Sequence, residues 1–299
     1  MNVLDISHVS KRYGSKQVLD DISFQVSENE IIGLIGVNGA GKTTTMKAIL
    51  GLLKTDAGTI TLCGERVQFC VLPSDHRIGY LQDVPEFYSY MTAKEYLGFC
   101  GKIAGIRADE RQKQCAEILE FVGLAGEKAR IGGYSRGMKQ RLGIAQALIG
   151  SPKLLICDEP TSALDPLGRH AVLELLSQIK SKISVLLSTH ILSDAEHVCD
   201  RIVLLHHGKI ILSGNLDAIR QLHAELGIRL TLQNQQDIGT VCSWYPDAQT
   251  DGNTILIRSA EPDFMQQIMQ FLTGAQISPV RLEQMQPNLE DLFMEEVVE

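Results

Sequence analysis

Long apolar runs are what this sequence most plainly lacks. No stretch in its 299 residues approaches the roughly 20 consecutive apolar residues that a membrane-spanning helix needs. Any work at a membrane therefore requires a span supplied by another chain. The opening residues, MNVLDISHVSKRYG, include Asp5 and no apolar core, so no secretory leader is expected. No CxxC pair occurs among the 7 cysteines, and their number is odd. Several lie in apolar runs, and they read as buried, reduced thiols of a cytosolic protein. Internal repeats and low-complexity segments are absent as well. Positive charge is scarce at one end: residues 221–299 hold 3 Lys+Arg against 12 Asp+Glu, a net of −9, whereas residues 1–220 net +1. That break marks a separate acidic C-terminal module and argues against sequence-nonspecific nucleic-acid binding through it.

What is present reads first as an α/β protein of two domains. Residues 2–9 and 18–26 alternate as strands around the KRYGSK turn, EIIGLIG (30–36) is a buried strand, and a helix is expected to run from the following glycines to about Leu53. GTITLCG and RVQF suggest a hairpin around Gly64-Glu65, and RIGYLQ (77–82) another strand. Helical spacing then takes over from about 87 to 150. The β rhythm returns in KLLICD (153–158), ISVLLSTH (183–190) and RIVLLHHGKIILSG (201–214), with a helix between the first two that Asp165 caps and Pro166 opens. Strand, helix, strand predicts a parallel crossover. Residues 222–299 start afresh as a small α+β domain: GIRLTLQ, NTILIRS and PVRLEQM read as strands, PDFMQQIMQFLT and LEDLFMEEV as helices.

Gly36-Val37-Asn38-Gly39-Ala40-Gly41-Lys42-Thr43 fits G-x-x-x-x-G-K-[ST] between a strand and a helix. Small residues let backbone N–H groups turn inward around a phosphate chain, and the helix offers its positive end to the anion. Lys42 is placed to reach the outer phosphates and Thr43 to hold Mg²⁺. No N-K-x-D guanine-reading motif occurs, which disfavours GTP. LLICDEP ends an apolar strand in Asp158 and Glu159. Asp158 suits hydrated Mg²⁺; Glu159, pointing elsewhere because side chains alternate, suits polarising a water. Taken alone, the pair reads equally well as an ordinary acidic strand end. His190 closes a neighbouring strand, where it can donate to charge developing on a phosphate.

Together Tyr13, GVNGAGKT, Gln82, YSRGMKQR, LLICDEP, SALD and His190 resemble, in order and separation, the nucleotide-binding domain of ABC transporters over residues 1–221. The resemblance implies a P-loop core with an N-terminal antiparallel subdomain and a helical insert. It implies ATP bound by Tyr13 (on adenine), Gly36, Asn38, Gly39, Ala40, Gly41, Lys42, Thr43 and Thr44. Mg²⁺ is implied at Thr43, Gln82 and Asp158, and catalysis by Glu159, His190 and Gln82. Ser135 and Gly137 occupy the family's signature. Ser135 implies a γ-phosphate contact with the loop of a second subunit, and Asp165 a report across that dimer; a simple helix cap is the plainer reading of Ser135. The signature departs from the usual Leu-Ser-Gly-Gly-Gln at Arg136 and Met138, and Arg136 either aids phosphate binding or faces solvent. The tail is similar to that of ATPase subunits of bacterial ABC-2-type exporters of drugs, bacteriocins or sodium; it regulates, helps dimerise or only packs. The resulting expectation is a homodimeric ATPase on the inner face of the membrane, driving a separate multi-span permease. Phe87, Tyr88 and Tyr90 are expected either in a groove for that partner or in the core. A non-transport ABC ATPase acting on nucleic acid or ribosomes is the alternative.

Overall fold

A computed structural model of the chain describes residues 2–71, 77–222, 227–258 and 263–285. The chain divides into two compact units, Met1–Leu216 and Asp217–Glu299.

The first unit opens with β1 (Asn2–Tyr13) and β2 (Lys16–Ser27), paired antiparallel. Their inward residues, among them Leu4, Ile6, Leu19 and Ile22, are fully buried, as period-two alternation requires. β3 (Ile31–Ile35) is buried at every residue, the mark of a strand covered on both faces. It feeds α1 (Lys42–Ile49), which stops short of the predicted Leu53: Leu50 caps it and Gly51 follows at positive φ. β4 (Ala57–Leu62) and β5 (Glu65–Arg66) form the expected hairpin. Its turn residues are Cys63 and Gly64, both at positive φ, so Glu65 already belongs to the strand. These four strands make an antiparallel sheet in the order β2-β1-β4-β5.

β6 (Ile78–Leu81) precedes the helical insert of α2 (Ala93–Ile103), α3 (Ala108–Phe121) and α4 (Arg136–Leu148). Thr92 and Glu95 start α2 with a reciprocal capping box, Thr92 N donating to Glu95 Oε2 at 2.8 Å. β7 (Leu154–Asp158), α5 (Pro166–Ile179) and β8 (Ser184–Thr189) are the anticipated parallel crossover. α6 (Leu192–Val198) has no counterpart in the sequence reading. Segment 201–214, read as β throughout, is a hairpin of β9 (Arg201–His206) and β10 (Lys209–Asn215), turning at His207-Gly208 with both φ positive. The second sheet runs β10-β9-β3-β8-β7-β6 and is parallel except at β10. The carboxyl ends of β3, β8 and β7 therefore lie side by side, and the loops leaving them share one edge. One core joins both sheets and α1, with Leu4, Ile22, Leu34, Met46, Ile156 and Leu186 in contact.

α7 (Leu216–Leu222) carries the chain onward. The second unit contains β11 (Gly227–Leu232), α8 (Gln235–Trp244), β12 (Gln249–Asp251), β13 (Thr254–Arg258), α9 (Phe264–Gly274) and β14 (Pro279–Met285). This β-α-β-β-α-β order folds into an antiparallel sheet, β12-β13-β11-β14. Ile228, Leu230, Ile255 and Ile257 pack on Val241, Phe264, Ile268 and Leu272. α8 was not anticipated, and the segment LEDLFMEEV lies outside the described residues. Cys115, Cys157 and Cys199 are buried, Cys70 is exposed, and all seven cysteines are free. Among the described residues no helix is long and apolar enough to cross a membrane.

Candidate active site

The glycine loop owes its shape to two positions where a side chain has no room. A Cβ on Gly36 would lie 2.3 Å from the Leu205 carbonyl oxygen. Gly41 sits at φ 117°, and a Cβ there would lie 2.7 Å from Leu19 Cδ2. Between them Asn38 and Gly39 are exposed and Ala40 is buried. The Ala40 N–H donates to Val37 O at 3.1 Å, closing the turn. The loop ends at α1, whose free N–H groups carry partial positive charge.

Lys42 is buried, and its ammonium donates to Gly36 O at 2.7 Å and lies 3.2 Å from Glu159 Oε1. Thr43 Oγ1 donates to Asp158 Oδ2 at 3.3 Å, across 115 residues of chain. Thr44 follows, half-buried. The sequence reading did not single out Ser188, yet its hydroxyl donates to Asp158 Oδ1 at 2.6 Å and accepts from Glu159 N at 3.1 Å. Burial together with the Asp158 charge pushes the Cys157 thiol and the Tyr80 phenol upward, so both stay neutral beneath the site.

Glu159 takes a left-handed backbone, φ 47°. Such conformations cost a non-glycine residue about 1–3 kcal/mol and persist where surrounding contacts impose them. Here the contacts are the Ser188 carbonyl and hydroxyl on the Glu159 N–H. The side chain is held at both oxygens: Oε1 faces Lys42, and Oε2 is 2.7 Å from His190 Nδ1 and accepts from the His190 backbone N at 3.3 Å. His190 remains about half exposed while Glu159 is mostly covered. The glycine loop, Thr43, Asp158, Glu159 and His190 thus form one constellation.

Asp194 is a second residue that the sequence did not flag. It is buried, accepts from Thr161 Oγ1 at 2.5 Å and from Arg169 Nε at 2.5 Å, and so ties α6, just after His190, to α5. Beyond the constellation, Tyr13 ends β1 half exposed, with the Lys11 ammonium 5.4 Å from its ring centre. Gln82 lies exposed just past β6, and its neighbour Asp83 accepts a hydrogen bond from Ser162. Asp165 caps α5, accepting from Gly168 N at 3.3 Å. Ser135 caps α4 in the same way, accepting from Met138 N at 3.3 Å. Gly137 approaches Gly168: a Cβ on Gly137 would lie 3.9 Å from the Gly168 Cα. Ser135 thus faces its own helix end, and among the described residues no hydrogen bond joins it to the glycine loop.

The donor set fits the expected ligands. A hydroxyl and a carboxylate, Thr43 and Asp158, are hard oxygen donors of the kind Mg²⁺ takes. The Lys42 ammonium, already drawn toward a carboxylate, suits an anion.

Comparison with known proteins identifies the family. The family profile described as ABC transporter matches residues 19–162. An uncharacterized ABC transporter ATP-binding protein of Bacillus subtilis (strain 168), YxlF, is 49% identical over 222 residues, 73% of this chain and 73% of that protein. The Nod factor export ATP-binding protein I of Sinorhizobium fredii (strain NBRC 101917 / NGR234) is 34% identical over 296 residues, 97% of this chain and 84% of that one. A solved structure of an ATP binding subunit of an ABC transporter superposes with a TM-score of 0.64 at 35% identity, covering 74% of this chain and 92% of that one. The chain belongs to the ABC transporter family, as one of its ATP-binding proteins.

Proposed function

We propose that this chain is the ATP-hydrolysing subunit of an exporter, working as a pair of identical copies on a separate membrane-spanning partner. The observation that carries the chemistry is Glu159, fixed between Lys42 and His190 beside the Thr43–Asp158 pair. Lys42 and the loop N–H groups hold phosphate oxygens. Thr43 and Asp158 would hold Mg²⁺, with Gln82 beyond them; when bound, the ion neutralises phosphate charge and orients the chain of oxygens. Glu159 accepts the proton of the attacking water, and His190, bonded to that carboxylate through Nδ1, keeps it aimed and offers its other nitrogen to the γ-phosphate. Tyr13 lies flat against adenine.

Within one chain Ser135 bonds only its own helix end, among the described residues. Its helix N-terminus, and Gly137 beside it, have the right polarity for the γ-phosphate of a second copy, and C2 pairing completes two sites at once. Asp165, capping α5 close to Gly137, senses that pairing. ATP favours the closed pair and hydrolysis releases it, and this difference in affinity is what moves the partner.

A cavity of about 510 Å³ lies between the segment after Gln82 and the start of α4. Asp83, Pro85 and Phe87 line one side; Arg136, Lys139 and the buried Gln140, whose Nε2 has no partner, line the other. We assign this groove to the membrane partner. Phe87 belongs to its wall, whereas Tyr88 and Tyr90 stand exposed in a ring cluster with Phe99 and Tyr96. Arg136, the unusual signature residue, lines this groove. Export, rather than action on nucleic acid, is supported by the relative named for Nod factor export, which is matched over 97% of this chain.

Glu159→Gln tests the reading. It should bind ATP normally, lose about 10²–10⁴-fold in phosphate release, and accumulate as an ATP-bound dimer on size-exclusion chromatography. Wild-type turnover in this variant would remove Glu159 from the chemistry.

A further inference from the structure

Outside the glycine-loop site, α5 and α6 bring together three side chains that the ATPase chemistry does not use. His170 and Glu174 are four residues apart on α5, hence on one face of it. His197 reaches them from the last turn of α6. His197 Nε2 lies 3.7 Å from Glu174 Oε1, and the two imidazole rings are 5.8 Å apart and tilted by 56°. One donor atom from each residue can be chosen so that all three lie within 4.8 Å of one another. All three residues are exposed and reachable from solvent. The neighbouring cation is already spent: Arg169 donates to Asp194 at 2.5 Å and to Ser193 at 2.8 Å, so it does not compete for Glu174.

We propose that His170, Glu174 and His197 form a zinc site that clips α5 to α6, with water as the fourth ligand. Two imidazoles and one carboxylate are donors zinc prefers, in a three-ligand set that leaves one position open. Tetrahedral bonds of about 2.0–2.1 Å place ligand atoms about 3.3 Å apart. Contraction to that spacing takes only small rotations of exposed side chains. Mg²⁺ and Ca²⁺ prefer oxygen donors throughout, so the ion used at the glycine loop is not drawn here. The clip has a defined mechanical position. α5 is capped by Asp165 and α6 starts two residues after His190, so the ion would tie together two helices whose first turns adjoin the proposed site. The zinc assignment itself does not rest on the ATPase reading.

Calorimetric titration of Zn²⁺ into the nucleotide-free full-length chain tests it, with Co²⁺ absorption as a second probe that distinguishes imidazole from thiolate ligation. The expected result is one zinc per chain, a raised melting temperature, and Co²⁺ spectra without thiolate charge-transfer bands. His170→Asn and His197→Asn should each weaken binding by more than about tenfold, since even groups that only hydrogen-bond to ligands are worth 10–100-fold. Glu174→Gln should weaken it as well. His207→Asn, outside the cluster and suited to the positive φ there, should leave it unchanged. Absence of zinc binding, equal affinity in the double histidine variant, or thiolate bands would each overturn the proposal. Unchanged ATP affinity in the variants establishes that they remain folded.

Discussion

The two units of this chain use their sheets in opposite ways. In Met1–Leu216 five parallel strands send their carboxyl ends to one edge, and the loops that leave β3, β7 and β8 bring Lys42, Asp158, Glu159 and His190 into contact. In Asp217–Glu299 the four strands are antiparallel, with helices on one face and a surface pair such as Arg229–Glu283 at 3.4 Å on the other. Parallel topology gathers loop residues from distant parts of the sequence; an antiparallel sheet scatters its turns to both ends. The residues proposed for the chemistry therefore all lie in the first unit, whereas the described residues of the second build an antiparallel sheet over one apolar core.

That contrast can be broken or sharpened by experiment. The largest effect is expected at Leu230→Ala, where a fully buried side chain of the second unit is removed. It should cost that unit about 2–5 kcal/mol by denaturant titration or hydrogen exchange and leave basal ATP turnover intact. Loss of turnover would mean that the second unit is not merely packed but needed for chemistry. Lys42→Ala should lower ATP affinity by about 1.5–3 kcal/mol, the worth of a charged hydrogen bond, in a nucleotide-binding assay. Unchanged affinity would undo the loop assignment.

The smallest effect concerns pH and falls on the first unit. Burial raises the thiols of Cys115, Cys157 and Cys199 above their ordinary value of 9.0. Below about pH 9 folded and unfolded chains both keep these protons, and the stability the thiols contribute is fully present. Above it the unfolded chain releases protons that the folded one retains, so stability falls as pH rises. Melting at about pH 8 and about pH 10 should show the first unit weakening. A first unit equally stable at both would contradict this assignment of the buried thiols.

The parts most legible in the sequence are those whose residue types the local backbone dictates. The glycine loop is legible because only small residues fit at Gly36 and Gly41, and LLICDEP because an apolar strand stops abruptly in carboxylates. Residues that serve by reaching across the fold stay silent. Ser188 is one more small residue in a buried strand, and its partner Asp158 is 30 positions away. Asp194 resembles any acid in a first helical turn until Thr161 and Arg169 close on it. α8, QQDIGTVCSW, went unread because glycine and β-branched residues weaken its helical signal and only Val241 is buried. His170, Glu174 and His197 carry no spacing motif, since two helices supply them.

Completion of one copy's site by another is the central claim, and a mixing experiment tests it most directly. Ser135→Ala keeps a sound glycine loop, and Lys42→Ala keeps a sound Ser135 helix; each alone should be nearly inactive. The measurement is ATP turnover of the two variants combined in equal amounts. Recovery of activity well above the sum of the separate rates is predicted, because mixed pairs contain one intact site. A mixture no faster than that sum would show that Ser135 serves its own chain or none, contradicting the account.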